Sequence, residues 1–183
     1  MSQTSEPAML LLPNWAAQIT SRDGIELNVR SACPDDEQIL IDFFRQVSPQ
    51  DLRFRFLSAM KSVGPGLAHE MVTIDHTQTE NLLAFDASGG QLVATAMVAT
   101  PVGEDDAEVA VSVRSDLKGH GIGWEMLKCA CDYARLRGFK KVHSVELSDN
   151  RGVIQLEKEM GFKARPYTDD MSLTLLTKDL SQP

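Results

Sequence analysis

The sequence contains no apolar run of about 18 residues, the length that a transmembrane helix needs, so it predicts no membrane-spanning segment. Its start, residues 1–15, lacks the basic region and the longer apolar stretch of a signal peptide. Positive charge is also scarce, because the 183 residues carry a formal net charge of −8. Duplex nucleic acid and anionic membrane surfaces are bound through basic faces. We therefore predict a cytoplasmic protein that binds neither nucleic acid nor membrane.

Cysteine and clustered histidine are scarce as well. The three cysteines form no framework of pairs, which is typical of a reducing compartment. Cys129 and Cys131 lie two residues apart on a predicted helix and are interpreted as core residues on different faces. The sequence HEMVT at His69 lacks the second histidine, one turn later, of a zinc-protease motif. No metal site is predicted.

Hydrophobic periodicity divides the chain into a loose N-terminal arm, residues 1–20, and one domain, residues 21–183. Strands come first in the domain and then alternate with helices, an order typical of an α/β domain with a mixed sheet. Ser48 and Pro49 have the residue types of a helix N-cap and a first helical position. The predicted strands cover residues 25–29, 81–86, 91–100, 107–114, 141–147 and 171–178. The predicted helices begin at Pro34 and Pro49 or cover residues 64–75, 121–137 and 150–160.

Three glycines, Gly119, Gly121 and Gly123, stand between an apolar strand and an amphipathic helix. Free N–H groups at such a junction, together with the helix dipole, form an anion site that phosphate can approach closely. A P-loop would continue with Gly-Lys-Ser/Thr, whereas Trp124 follows the last glycine here. A dinucleotide fold would have G-x-G-x-x-G after the first strand, whereas these glycines run G-x-G-x-G past the middle of the chain. The junction therefore predicts a phosphate site of another kind.

The segment KGHGIG, residues 118–123, resembles the Q/R-x-x-G-x-G/A loop of the GNAT acetyltransferases, with lysine where glutamine or arginine is usual. The spacing from Asn150 to Gly161-Phe162 is similar to the N-x-x-A…G-F signature of that family. Residues 23–56, with D-G, F-F and S-P…R-F, resemble the opening of the GNAT domain of Pat-type protein lysine acetyltransferases. Many Pat-type proteins also carry a ligase-like or nucleotide-binding region that has no counterpart in these 183 residues, which leaves small amines open as acceptors.

This resemblance implies the GNAT fold, a mixed and mostly antiparallel sheet with flanking helices and a splayed central strand pair. It also implies acetyl-CoA as co-substrate and an amine as acceptor, with no metal. The pantetheine amides would pair with the backbone of the 107–114 strand where it splays from the 141–147 strand, and Asn150 would contact the CoA arm. The implied pantetheine contacts are Val111, Ser112 and Val113, and the implied pyrophosphate contacts are Lys118, Gly119, His120, Gly121, Ile122 and Gly123.

The resemblance also implies that Glu108, in the sequence AEVAV, is the catalytic base. Strand alternation places Glu108, Ala110 and Ser112 on one face and the valines on the core face, so Glu108 points to a groove or to solvent. A solvated glutamate at a strand end is the alternative. Many family members protonate the leaving thiolate with a tyrosine seven residues after the asparagine. Glu157 occupies that position here, and an ionised glutamate is a poor acid.

Two further features remain open at this stage. The acidic segment GEDDAE, residues 103–108, either steers a cationic acceptor or is a solvated turn. Arg53 and Arg55 either line the acceptor cleft or belong to the polar face of an amphipathic helix. The leading hypothesis is an acetyl-CoA-dependent N-acetyltransferase acting on a primary amine, with protein lysine as the acceptor. The alternatives are a small-amine acetyltransferase and a non-catalytic acyl-CoA-binding sensor domain.

Overall fold

Eight strands and five α-helices make up the described part of the chain. The computed structural model describes residues 15–100, 106–168 and 170–181. The strands are β1 Ala16–Thr20, β2 Glu26–Ser31, β3 Thr79–Asp86, β4 Leu92–Ala99, β5 Ala107–Val113, β6 Lys141–Leu147, β7 Lys163–Pro166 and β8 Leu173–Asp179. The helices are α1 Glu37–Phe44, α2 Pro49–Phe56, α3 Pro65–Val72, α4 Ile122–Leu136 and α5 Arg151–Glu159, with 3-10 turns at Pro34–Asp36 and Ser115–Leu117.

All strands belong to one sheet with the order β1-β2-β3-β4-β5-β6-β8-β7. Every neighbouring pair is antiparallel except β5 and β6, which are parallel. Parallel neighbours need a crossover, and α4 supplies it between β5 and β6. The predicted mixed, mostly antiparallel sheet with flanking helices is therefore confirmed.

Each face of the sheet has its own core. The α4 face is covered by α4 and α5, with Leu82, Val109, Met126 and Val142 in its buried cluster. The α2 face is covered by α1, α2 and α3, whose apolar side chains pack with Leu83 and the other residues of a second cluster. Any side chain on β5 or β6 therefore faces one of these two layers or the space between them.

Helix α4 is amphipathic because its apolar residues recur at helical spacing and pack on the sheet. Cys129 and Cys131 are free and buried in this packing, as core residues are. Burial raises the pKa of the Cys129 thiol to about 12 and that of the Cys131 thiol to about 11. Both thiols are therefore neutral at physiological pH.

Helix α2 begins as the sequence predicts. Ser48 is its N-cap, and the Ser48 hydroxyl accepts a hydrogen bond of 3.1 Å from the Asp51 backbone N–H. Pro49 follows at the first helical position, where its missing N–H costs nothing. Leu57 ends the helix in the left-handed conformation with φ 50°. This start and end fix α2 beside β5 and β6.

The structure differs from the sequence-based prediction at both edges of the sheet. Residues 16–20, predicted as part of a loose arm, form β1 and pair with β2, while residues 1–14 lie outside the described residues. The four-residue strand β7 was not predicted, because so short a segment has no readable alternation. Residues 101–105, which include half of the acidic segment 103–108, also lie outside the described ranges. Within the described ranges, no helix is both long and apolar enough to cross a membrane.

Candidate active site

A wedge-shaped gap opens between the parallel strands β5 and β6. The two strands pair only at their first residues, Ala107 with Val142 and Glu108 with His143. An ion pair of 2.9 Å between Lys141 Nζ and Asp106 Oδ2 lies beside this paired end. Beyond it, no pairing joins β5 to β6 within the described residues. We call this opening the β5–β6 gap.

The backbone of β5 directs alternate N–H groups into the gap. The Arg114 N–H donates to the Val93 carbonyl at 2.9 Å, and from there β5 pairs with β4 in antiparallel register. Opposed residues alternate between hydrogen-bonded and non-bonded pairs, so Ser112 bonds to β4 while Val111 and Val113 do not. The N–H groups of Val111 and Val113 therefore point away from β4, toward the gap. The Ser112 hydroxyl is buried and has no hydrogen-bond partner in the described part of the chain.

One end of the gap meets the glycine loop that precedes α4. Gly119 and Gly121 have φ of 86° and 85°, a conformation that other residues adopt only at a cost. A Cβ on Gly121 would lie 2.9 Å from Arg22 Cβ and 3.0 Å from Arg22 N, so that position also needs glycine for space. The positive φ angles and the lack of space for a Cβ explain why glycines occupy this junction, although other residues would restrict the backbone more.

The amides of this loop are available to a ligand. Across the described ranges, the N–H groups of Gly119, His120 and Gly121 donate no hydrogen bond. The first N–H groups of α4, from Ile122 onward, have no intrahelical acceptor, and the N-cap Gly121 has no side chain to satisfy them. The loop is therefore a cluster of unpaired donors at the positive end of a helix dipole, which is the arrangement that binds phosphate.

Polar side chains hold the loop in place from two sides. Arg22, in the turn between β1 and β2, donates from Nη2 to the Gly119 carbonyl at 2.8 Å. The Oδ2 atom of the neighbouring Asp23 lies 2.9 Å from His120 Nδ1. On the other side, Lys118 Nζ pairs with Asp51 Oδ1 of α2 at 2.5 Å. Lys118 and His120 thus pair with aspartates, and these pairs hold the loop against the turn between β1 and β2 and against α2.

Glu108 lies on the α2 face of β5, near the paired end of the gap. It is partly buried, and its carboxylate has no hydrogen bond or ion pair among the described side chains. Arg55 of α2 is the nearby cation, and the charges of Glu108 and Glu146 both favour its protonated form. Burial nevertheless lowers the pKa of Arg55, because its Nε is enclosed without a partner and its Nη2 lies 3.6 Å from Met97 Sδ. Arg55 was interpreted either as lining the acceptor cleft or as part of a polar helix face, and this position favours the acceptor cleft.

A family model for the acetyltransferase (GNAT) family matches residues 42–162. This range includes the glycine loop and both strands that border the gap, and it covers about two thirds of the chain. The chain belongs to the GNAT acetyltransferase family.

Similar proteins extend the GNAT match over nearly the whole chain. The acetyltransferase PA5475 of Pseudomonas aeruginosa is 29% identical over 171 residues, which is 92% of this chain and 91% of that protein. The crystal structure of the GNAT domain of S. lividans PAT matches with a TM-score of 0.83 and 26% identity, covering 95% of this chain and 99% of that one. Spermidine N-acetyltransferase from Vibrio cholerae, solved with CoA and spermine, shares the fold at a TM-score of 0.70 and 14% identity, covering 85% and 96%.

The predicted site residues of this GNAT protein gather around the gap, with one exception in detail. Val111, Val113 and Glu108 lie on its β5 wall, and the glycine loop lies at its wide end. Ser112 was predicted to offer its backbone to pantetheine, but its register directs that backbone to β4. Asn150 lies beyond the opposite wall as the N-cap of α5, and its Nδ2 donates to Glu146 Oε2 at 2.8 Å.

Two carboxyls beside the gap, the partly buried Glu146 and the buried Glu157, were not recognised as a pair from the sequence. Burial raises the pKa of Glu146, on β6, to about 7, although the Asn150 hydrogen bond and Arg55 act in the opposite direction. Burial likewise raises the pKa of Glu157, on α5, to about 8, and the Ser144 hydroxyl donates a hydrogen bond to it. The expectation that Glu157 is ionised is therefore wrong at neutral pH. Alternation places Glu146 on the same face as the core residue Val142, a signal that could have marked it as facing away from solvent.

No cluster of three or more potential metal ligands occurs among the described residues of this GNAT chain. The polar groups described around the gap include backbone amides, the carboxyls of Glu108 and Glu146, Arg55, Asn150 and the Ser112 hydroxyl. Such groups bind a phosphorylated, amide-bearing ligand and move protons.

Proposed function

We propose that this GNAT protein transfers the acetyl group of acetyl-CoA to a primary amine, the side chain of a protein lysine, by direct attack in a ternary complex. The observation that carries this proposal is the β5–β6 gap, which has free main-chain N–H groups along one wall and a glycine loop with unpaired amides at one end. A long ligand with a pyrophosphate at one end and amides along its arm matches that distribution of donors.

In this proposal the loop from Lys118 to Gly123 holds the CoA pyrophosphate through its amides and the α4 dipole. The backbone of Val111 and Val113 pairs with the pantetheine amides and completes the ladder that β6 leaves open. Ser112 contributes its unpartnered hydroxyl rather than its backbone. Asn150 contacts the CoA arm through its side-chain oxygen, while its Nδ2 keeps the hydrogen bond to Glu146.

The chemistry requires a base, because a lysine amine has a pKa of about 10.4 and is protonated at neutral pH. Glu108 fits this role, since it lies on β5 beside the gap and has no competing partner among the described residues. A water molecule relays the proton from the ammonium to its carboxylate. The Val111 N–H then stabilises the oxyanion that develops on the thioester carbonyl.

Protein lysine is the proposed acceptor for two reasons. The similarity to the GNAT domain of S. lividans PAT extends over 95% of this chain, and residues 23–56 carry the segment that resembles Pat-type enzymes. The net charge of −8 also favours a cationic acceptor. A small polyamine is the second candidate, supported by the fold shared with the V. cholerae spermidine enzyme.

Substitution of Glu108 tests the base. We expect Glu108→Gln to lower kcat on the order of 10²–10⁴-fold, the usual contribution of a positioned base, while acetyl-CoA still binds in calorimetry. Glu159→Gln, which removes an exposed carboxylate on α5, is the matched control and keeps wild-type kcat. A Glu108→Gln variant as fast as wild type would exclude Glu108 as the base.

Labelled acetyl-CoA identifies the acceptor. We expect a bacterial lysate incubated with the protein to gain labelled acetyl-lysine, measured by mass spectrometry, beyond a lysate that receives Glu108→Gln. Efficient acetylation of spermidine without added acetyl-lysine would select the small-amine function. Binding of acetyl-CoA without release of CoA, whatever the amine, would select the sensor function.

A further inference from the structure

We propose that Glu146 of β6, backed by Glu157 of α5, donates the proton that the leaving CoA thiolate takes up. This inference rests on the proposed acetyl transfer and deepens it by naming the acid of the same site. Glu146 is partly buried and Glu157 is buried, and neither carboxyl has a role in the transfer described above.

The register of the paired ends places Glu146 on the far wall of the gap. Ala107 is opposite Val142, so residues two and four positions further along each strand share the same face. By continuation of this register, Val109 corresponds to Ser144 and Val111 to Glu146, on the α4 face of the two strands. Because the Val111 N–H is the proposed oxyanion donor, Glu146 lies at the level of the scissile C–S bond.

The contacts of Glu146 leave one carboxyl oxygen free for a proton. Its Oε2 accepts the Asn150 hydrogen bond at 2.8 Å, and Oε1 has no partner in the described part of the chain. Asn150 is only 9% exposed and is the N-cap of α5, so it fixes the carboxyl at the gap. A carboxyl held by one oxygen beside an opening has the geometry of a proton donor.

Burial keeps this pair protonated near neutrality. Glu157, which is 3% exposed, lies behind Glu146, and the charge of Glu146 disfavours its ionisation. From α2 the Arg55 cation acts in the opposite direction on Glu146, and from α4 the neutral Cys131 thiol faces Glu157. Burial outweighs Arg55, so that the pKa of Glu146 lies at about 7 and that of Glu157 at about 8. A model thiol has a pKa of about 8.5, so proton transfer from Glu146 to the thiolate is downhill.

The step balances as follows. The ammonium loses one proton to Glu108 through water, and its nitrogen attacks the thioester carbon and forms the C–N bond. Collapse of the tetrahedral intermediate breaks the C–S bond and leaves the electron pair on sulfur, which takes the Glu146 proton. The nitrogen loses a second proton to water, water reprotonates Glu146, and Glu108 releases its proton to solvent. Ammonium and thioester thus become amide, thiol and one released proton.

The pH dependence of kcat for CoA release tests this role between pH 5.5 and 9 at saturating acetyl-CoA and amine. In the wild type we expect kcat to fall above pH 7, as Glu146 loses its proton. Glu146→Gln keeps an oxygen that accepts from Asn150, so it removes the proton and preserves the contact. We expect this variant to lose kcat by on the order of 10²-fold at pH 6 and to lack the alkaline fall.

Two further variants separate a proton donor from a structural residue. Glu146→Asp retains an ionisable carboxyl and is expected to keep the alkaline fall at a reduced kcat, while Glu159→Gln behaves as wild type. If Glu146→Gln keeps the alkaline fall, or if the Asp and Gln variants have the same profile, this proposal is overturned and the acetyl transfer stands. If the wild type releases no CoA with any amine, the proposed function and the proton donor are both overturned.

Discussion

Gly121 illustrates how one residue can be required twice. Its φ of 85° disfavours any side chain, and a Cβ would meet both the backbone and the side chain of Arg22. Gly152, in the first turn of α5, has no positive φ and open space around a Cβ. The same substitution at these two glycines therefore has opposite consequences.

We expect Gly121→Ala to lower the free energy of unfolding by about 2 kcal/mol and to weaken acetyl-CoA binding, because the loop must move away from Arg22. Gly152→Ala is expected to raise the free energy of unfolding by about 0.5–1 kcal/mol, since alanine restricts the unfolded chain and favours a helix. Urea denaturation of both variants measures the two changes. A Gly121→Ala protein as stable as wild type would contradict the close contact with Arg22.

Single residues also show what the sequence can and cannot predict. Alternation along β5 was sufficient to place Glu108 away from the core valines, because that argument needs only neighbours in sequence. The partnership of Glu146 with Asn150 and of Glu157 with Ser144 depends on how α5 packs on β6, which no local pattern encodes. The wrong expectation for Glu157 came from assigning it the ionisation of an exposed glutamate.

At the scale of elements, the contact between α5 and β6 links stability to pH. Glu157 has a pKa of about 8 in the folded protein, whereas the ordinary pKa of a glutamate is 4.5. A carboxyl whose pKa is raised by folding stabilises the folded state fully below its unfolded pKa, and that stability is lost as the pH rises toward the folded pKa. The window for this loss is therefore about pH 4.5 to 8.

We expect ionisation of Glu157 to cost the wild type on the order of 2–4 kcal/mol of unfolding free energy between pH 5 and pH 8, with a further loss from Glu146. Glu157→Gln should show a smaller loss and should exceed the wild type in stability at pH 8. Urea denaturation at each pH provides the measurement, with Glu159→Gln as the control. Parallel curves for wild type and Glu157→Gln would show that Glu157 ionises normally in the fold.

Elements with strong internal signals were predicted well, and those defined by distant pairing were not. The predicted strand over 141–147 has the bounds of β6, and α2 begins at the predicted cap. In contrast, β1 and β7 are short edge strands, and they form because they pair with β2 and β8. Which strands pair at the edges depends on the tertiary fold, so a local sequence pattern does not predict it.

Across the whole molecule, the excess of negative charge bears on the choice of substrate. The net charge of −8 attracts a cationic amine over distances comparable with the Debye length, about 10 Å at 0.1 M salt. We expect kcat/KM for a lysine-containing peptide to fall several-fold between 50 and 500 mM salt. An uncharged amine acceptor of similar size is the control. Equal salt dependence for the two acceptors would show that the charge does not steer the substrate.

The two walls of the gap also divide the sheet into halves, strands β1–β5 and strands β6–β8, which two residue pairs join in the described part of the chain. The amide hydrogens of Val111 and Val113 have no acceptor on β6, whereas that of Ser112 is engaged by β4. In heavy water, the first two should therefore exchange for deuterium faster than the third. A ligand lying along β5 would slow them and would bridge the halves, so the coenzyme would serve as a ninth strand of the sheet.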